Sequence, residues 1–313
     1  MVVYDNVTEL IGRTPLVELH RFAAELPARL VGKLESVNPG GSVMDRIALA
    51  MIEAAEKSGA LAPGGTIIEA TSGNTGIGLA MVAAARGYGA VFTMPEGLSV
   101  ECRRIITAYG ARIVLTPTAE GMPGAIEIAR RLAADNGWFM PQQFENPVNP
   151  DAHRRTTARE IWNDLKGGLD AFVAGVGSGG TLTGVGRDLK RRKPSIHVVA
   201  VEPDESPVLS GGAPGPHRIQ GIGPGFVPAV LDPAAFDEVM RITGTEAAEA
   251  ARRLAKTEGI LAGISSGAAL CAASQIAKRE EMADKTIVVL LPDTGERYLS
   301  TGLFDDLFGT SSA

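Results

Sequence analysis

Residues 177–181 read Gly177-Ser178-Gly179-Gly180-Thr181 and lie between an apolar run, AFVAGV, and a stretch with helical patterning. Glycine lets a backbone approach a ligand closely, and the unpaired N–H groups of a helix start attract anions. Several amides and two hydroxyls could therefore hold one phosphate here without a lysine or a metal ligand. The same segment also fits a dinucleotide fingerprint, Gly175-x-Gly177-x-x-Gly180 followed by Glu202 at the end of the next strand-like run. A nicotinamide or flavin enzyme is thus a competing reading, and a tight turn that needs glycine only for packing is the plainest one. A second loop, TSGNTG at 71–76, offers Thr71, Ser72, Asn74 and Thr75 to a carboxylate or a phenolic oxygen, or else simply caps a helix. At a third helix start, Ser265 and Ser266 have capping as their simplest role. Ligands of a parallel sheet bind outside the carboxyl ends of its strands, so three such loops are expected to converge on one cleft.

Other chemistries find little support. His20, His153, His197 and His217 lack metal-ligand spacing, so no metal is expected, and each reads as a surface or hydrogen-bonded core residue. Neither a Gly-x-Ser-x-Gly elbow nor a Gly-x-x-x-x-Gly-Lys loop is present. The basic run 190–193, KRRK, ends a helical pattern, where positive charge complements the helix dipole. Cys102 and Cys271 are too few for a disulfide framework and read as buried small hydrophobes, which fits a reducing cytoplasm.

The elements that must position these loops follow βαβ grammar. TIIEA (66–70), AFVAGV (171–176) and LAGIS (261–265) each lead through a polar glycine loop into a small-residue helix and then another strand-like run. Their near-continuous apolar character predicts an α/β fold of two three-layer domains with mostly parallel sheets. The chain has 313 residues, 45% of them hydrophobic and 38 of them glycine, enough for one or two domains with substantial cores. Breaks near 40 and 145 suggest a large domain of residues 1–40 and 146–313 and a small one of residues 41–145. A formal charge of −6 argues against nucleic acid and anionic membrane as partners. No apolar run approaches the length of a membrane span, and the N-terminus lacks signal-peptide patterning.

IGRTPLVEL (11–19), NPGGSVMDR (38–46), EATSGNTGIGLA, PQQFENPVNP, GVGSGGT, GISSGAA and LLPDTGERYLST succeed one another over nearly the whole chain. In this order they resemble the cysteine synthases, the O-acetylserine sulfhydrylases among fold type II, tryptophan synthase β-like pyridoxal phosphate enzymes. The resemblance implies a cytoplasmic homodimer that replaces the acetate of O-acetyl-L-serine with sulfide to give L-cysteine. It assigns the cofactor phosphate to Gly177, Ser178, Gly179, Gly180 and Thr181, the ring hydroxyl to Asn74 and the pyridine nitrogen to Ser265. It gives the substrate to Thr71, Ser72, Gly73, Thr75 and Gln143, with Gly223 in the loop beside the cleft. It also implies a small domain that closes over substrate, and a cleft able to take the C-terminal peptide of serine acetyltransferase.

One residue departs from the pattern. The family reads Ser-Val-Lys-Asp-Arg where this chain has Met44, and the family's lysine forms the Schiff base with the cofactor and removes the substrate α-proton. A thioether has no amine to condense and no titratable proton; the acid–base loss alone is worth about 10²–10⁴ in rate. Met44, Ile47, Ala48 and Met51 instead make an apolar helical face behind a Ser42/Asp45 cap. An engineered substitution, a modified lysine transcribed as methionine, and a natural non-catalytic homologue that binds pyridoxal phosphate, amino acids or the acetyltransferase peptide all fit the sequence. Eight lysines remain, none in a glycine loop; Lys33, in a strand-like run, is the one that could approach the site.

Overall fold

The computed structural model describes residues 3–97 and 99–305. In chain order its main elements are β1 (Leu16–Glu18), β2 (Arg29–Leu34), α1 (Met44–Ser58), β3 (Thr66–Ala70), α2 (Asn74–Arg86), β4 (Gly89–Pro95), α3 (Val100–Ala108), β5 (Arg112–Thr116) and α4 (Gly121–Asn136). There follow α5 (Val148–Arg155), α6 (Thr157–Asp164), β6 (Ala171–Gly175), α7 (Gly180–Arg192), β7 (His197–Pro203), β8 (Glu238–Ile242), α8 (Gly244–Glu258), α9 (Ile264–Ala277) and β9 (Thr286–Leu291).

Two sheets organise these elements. One has the order β1-β2-β9-β6-β7-β8, parallel throughout except for the short antiparallel edge β1; the other is β3-β4-β5, all parallel. The pleat divides each strand between two cores. Phe172, Ala174, Val198, Ala200, Val288 and Leu290 face a cluster that includes Ile161 of α6 and Leu182 and Val185 of α7. Their neighbours Val173, Val199, Val201, Val289 and Leu291 face α8 and α9 through Ala251, Leu254, Ala269 and Leu270. In the smaller sheet, Ile67 and Phe92 pack towards α1 and α2, and Ile68 and Val91 towards α4. Both sheets are therefore covered on both faces, as the apolar strands require.

Two expectations need correction. The third strand–loop–helix unit has no strand before its loop: Ala262 forms only an isolated bridge to Thr294 before α9 starts at Ile264. Gly259, in the left-handed region at φ +70°, caps α8, and too little chain lies between the two helices for a strand. Cys102 is buried as expected, but Cys271 is only half-buried on α9. The KRRK run does end α7, with Lys190 on Asp237, Arg191 and Arg192 on Asp188, and Lys193 on Asp170. Among the described residues, no helix is long and apolar enough to cross a membrane.

Candidate active site

A cavity of about 1420 Å³ opens at the carboxyl ends of both sheets, and the N-termini of α1, α2, α7 and α9 border it through Met44, Asn74, Thr181 and Ser265. Four helix starts thus aim N–H groups and positive dipole ends at one space. Of the loops singled out in the sequence, all three reach it. Val43 and Met44, just after the NPGG turn, line it at the fourth helix start.

The 177–181 loop is built for close approach. Gly179 sits at φ +83°, and a Cβ on Gly177 would stand 2.3 Å from the Gly221 carbonyl. Ser178 and Thr181 border the cavity. Gly180 faces the other way, where a Cβ would meet the Asn149 side-chain oxygen at 1.8 Å. Behind the loop, the Asn149 amide donates to Ser178 Oγ at 2.9 Å, and His153 Nε2 lies 3.1 Å from Thr181 Oγ1. Neither Asn149 nor His153 stood out in the sequence. Glu202, the acid of the dinucleotide fingerprint, accepts instead from the backbone amides of Leu209 and Ser210 at 2.7 and 3.0 Å, so it is turned away from the glycine loop. The nicotinamide reading loses its ribose partner by that geometry.

At α2, Thr71 Oγ1 accepts from the Gly73 and Gly76 amides at 3.0 and 3.1 Å, which makes it a cap whose side chain lies outside the cavity wall. Ser72, Gly73, Asn74 and Thr75 do line the cavity. Thr75 donates to Gln143 Oε1 at 2.7 Å, while Gln143 Nε2 donates to the Ala70 carbonyl at 3.0 Å and keeps a second N–H. Asn74 is held from both sides: its Nδ2 donates to Asp293 at 2.6 Å and its Oδ1 accepts from Arg297 at 2.6 Å. Arg297 also donates to the Gly40 carbonyl, and the Tyr298 hydroxyl to Asp293. One Asn74 N–H remains for a ligand oxygen. Ser265 is buried at the start of α9 and borders the cavity, where its hydroxyl could meet a ring nitrogen. Gly221 and Gly223, at φ +97° and +63°, also line the cavity, Gly221 close to Gly177 and Ser265.

Burial raises two carboxyls here. Asp45 goes up to about 7, against the Gly40 amide that donates to it at 2.6 Å, and one of its oxygens has no partner. Glu69 also rises to about 7 by burial, against amides that include those of Ala70 and Gln143.

Met44 is half-buried, packing against Val43 and its core on one side and Ile47 and Met51 on the other while also lining the cavity. The expected cap differs in detail: Ser42 Oγ accepts the Met44 amide at 3.3 Å, and α1 starts from Val43. No lysine lines the cavity among the described residues. Lys33 is fully buried elsewhere, donating to the Thr14 carbonyl and to Glu160 in a cluster with Arg46 and Glu35. It does not border the cavity.

A family model described as pyridoxal-phosphate dependent enzyme matches residues 7–293, and the chain belongs to that family. The cofactor of that family is pyridoxal phosphate, and the glycine loop at 177–181 and the Ser265 hydroxyl beside the cavity would fit it. A cysteine synthase of Staphylococcus aureus is 57% identical over 305 residues, 96% of this chain and 98% of its own length. The cysteine synthase of Entamoeba histolytica superposes with a TM-score of 0.92 at 45% identity, covering 97% of this chain and 91% of that one. A lysine-to-alanine mutant of O-ureido-L-serine synthase, bound to O-ureido-L-serine, gives 0.95 at 48% identity, covering 100% and 96%.

Proposed function

We propose that this chain has the cofactor and substrate site of a cysteine synthase, directed at β-replacement of O-acetyl-L-serine by sulfide to give L-cysteine and acetate, and that Met44 leaves it with little or no turnover as written. The observation that carries this reading is one cavity holding a phosphate cradle, the Ser265 hydroxyl and a polar α2 start, with a thioether where an amine is needed. In the reaction the substrate's β-carbon–oxygen bond breaks, acetate leaves with the electron pair, and a carbon–sulfur bond forms. The bound cofactor supplies an electron sink for the α-carbon. Gly177, Ser178, Gly179, Gly180 and Thr181 hold its phosphate through amides and hydroxyls. Ser265, a neutral hydroxyl, leaves the ring nitrogen largely unprotonated, a weaker sink that suits elimination over transamination. Asn74 gives its remaining N–H to the ring hydroxyl. Ser72, Gly73, Thr75 and Gln143 receive the substrate carboxylate, with Thr71 acting from behind as the cap that orders their amides, and Gly223 borders the cleft. Met44 can neither take nor return the α-proton.

The large and small units divide near 40 and 145, the smaller closing over substrate, and the protein works as a cytoplasmic homodimer. The cleft could also take the C-terminal peptide of serine acetyltransferase. A second reading, a non-catalytic homologue that binds cofactor and amino acids, is favoured by the packing of Met44 into two apolar clusters. Cysteine formation from O-acetylserine and sulfide tests both. Met44→Lys is expected to exceed the present chain by at least about a hundredfold. An ordinary rate from the present chain would overturn the inactive reading. A Met44→Lys protein that binds cofactor yet stays inert would favour the second.

A further inference from the structure

Two polar residues of α5, Asn149 and His153, stand one helical turn apart and meet the two hydroxyls of the 177–181 loop from behind. Close packing of α5 on α7 allows this: a Cβ on Gly184 would stand 2.1 Å from the Pro150 carbonyl, and one on Gly180 would overlap Asn149. Both α5 side chains are fully buried and neither borders the cavity.

Donor polarity can be read through this pair. Asn149 Nδ2 faces the Gln143 carbonyl at 2.8 Å, an oxygen that only accepts, so the atom there must be nitrogen. The same nitrogen faces Ser178 Oγ, which therefore accepts and is left with its own proton to give away. His153 poses the same question at Thr181, with Nδ1 lying 3.0 Å from Thr157 Oγ1 on the other side of the ring. Neutral imidazole has one N–H and one bare nitrogen. A phosphate dianion offers only acceptors, so Thr181 must donate to it and must itself accept from behind. That requires the proton on Nε2, with Thr157 donating to Nδ1.

We propose that α5 is the positioning element of the cofactor phosphate seat, in which Asn149 and the Nε2–H tautomer of His153 aim the Ser178 and Thr181 hydroxyl protons at the anion. The inference rests on the reading that residues 177–181 seat the phosphate. Burial, and then the charge of Arg46, hold the imidazole at about 3, so the ring is neutral at ordinary pH and can act as one fixed tautomer. Such backing of a ligand's hydrogen-bond partners is what holds them in a productive orientation.

The test compares pyridoxal 5′-phosphate with pyridoxal, which lacks the phosphate, in titrations followed by absorbance. His153→Leu is expected to weaken pyridoxal 5′-phosphate about tenfold and to leave pyridoxal unchanged. His153→Gln, whose Nε2 can take the place of the imidazole Nε2, should restore most of the loss. Equal weakening of both ligands, or no weakening of either, would overturn the proposal. On the unsubstituted protein, ¹⁵N spectra of labelled histidine should show His153 protonated on Nε2 in the pyridoxal 5′-phosphate complex; protonation on Nδ1 would overturn it. Failure of the unsubstituted protein to bind pyridoxal 5′-phosphate would sink the phosphate-seat reading as well, whereas binding that is indifferent to His153 would sink this inference alone.

Discussion

The Lys33 ammonium lies 2.8 Å from Glu160 Oε2, inside a cluster where Arg46 also grips Glu160 and Glu35. Burial works to raise the Glu160 carboxyl, but its bonds to Arg46 and Lys33 outweigh that and hold it at about 2. The amine is a structural cation, tied between the segment before β1 and α6. It follows that borohydride treatment of the cofactor-loaded protein should leave no adduct at Lys33, while Met44→Lys should yield one at position 44, both read by peptide mass spectrometry. Glu160→Ala, which removes the carboxylate of buried Lys33 and one of the two that hold Arg46, should cost about 3–5 kcal/mol in urea unfolding near pH 7. Because the Glu160 carboxyl is depressed in the folded protein, its contribution is present above the ordinary carboxylate range and is lost as pH falls towards 2.

Asp45 behaves in the opposite sense. Its carboxyl is raised to about 7 in the fold, so the folded chain holds a proton there that the unfolded chain releases near pH 4. Its contribution is therefore fully present below about pH 4 and declines as pH rises through 7. Asp45→Asn keeps an acceptor for the Gly40 amide and carries no charge at any pH. Relative to the unsubstituted protein it should gain stability between pH 5 and pH 8, by about 2–3 kcal/mol, in denaturation midpoints at the two values. An offset that does not change with pH would count against the raised carboxyl.

Much of this site was legible because its demands are local. Positive φ, close backbone approach and helix starts leave glycine and hydroxyl signatures within a few residues, which is why the loops at 71–76 and 177–181 are legible in the sequence as glycine loops at helix starts. The part that escaped is made of long-range pairings. Asn149 and His153 reach residues 29 and 28 positions away, and Arg297 reaches Asn74 across 223. Asn149 lies within the PQQFENPVNP motif and His153 just after it, but nothing in that segment shows which distant residues they meet. Thr71 marks a different limit: its Oγ1 accepts from the Gly73 and Gly76 amides, and loop composition alone does not separate such a local cap from a ligand contact.

Gly184 in α7 and Gly137 at the end of α4 differ in what a methyl group would meet. Gly184→Ala would press a methyl against the Pro150 carbonyl, a backbone atom that cannot swing aside, and should cost about 1–3 kcal/mol while weakening cofactor binding through the displaced α5. Gly137, which ends α4 at φ +66°, has nothing within 4 Å of a Cβ. Gly137→Ala should cost only the left-handed penalty, about 1–2 kcal/mol, and leave cofactor affinity unchanged. Equal effects of the two substitutions on affinity would argue that α5 and α7 do not act together on the phosphate loop.

Arg297 joins three otherwise separate segments by bonding Asn74 and the Gly40 carbonyl while its own carbonyl accepts from Ser99 at 2.6 Å. It also places a positive charge near Asp293, where burial raises the carboxyl and the Arg297 charge lowers it. Arg297→Met keeps the apolar stem but removes the bonds to Asn74, Gly40 and Thr294 and the charge, leaving the buried Asp293 with neutral donors only. A loss of about 3–5 kcal/mol is expected near pH 7 in urea unfolding. The loss should shrink at lower pH, since a protonated Asp293 no longer needs a cation and its raised carboxyl takes up that proton readily. Adding Asp293→Asn should then recover part of the stability, because the two residues are coupled rather than independent. If the double variant instead loses the sum of the two single losses, Arg297 acts through its hydrogen bonds to Asn74 and Gly40 alone, and its charge does nothing for Asp293.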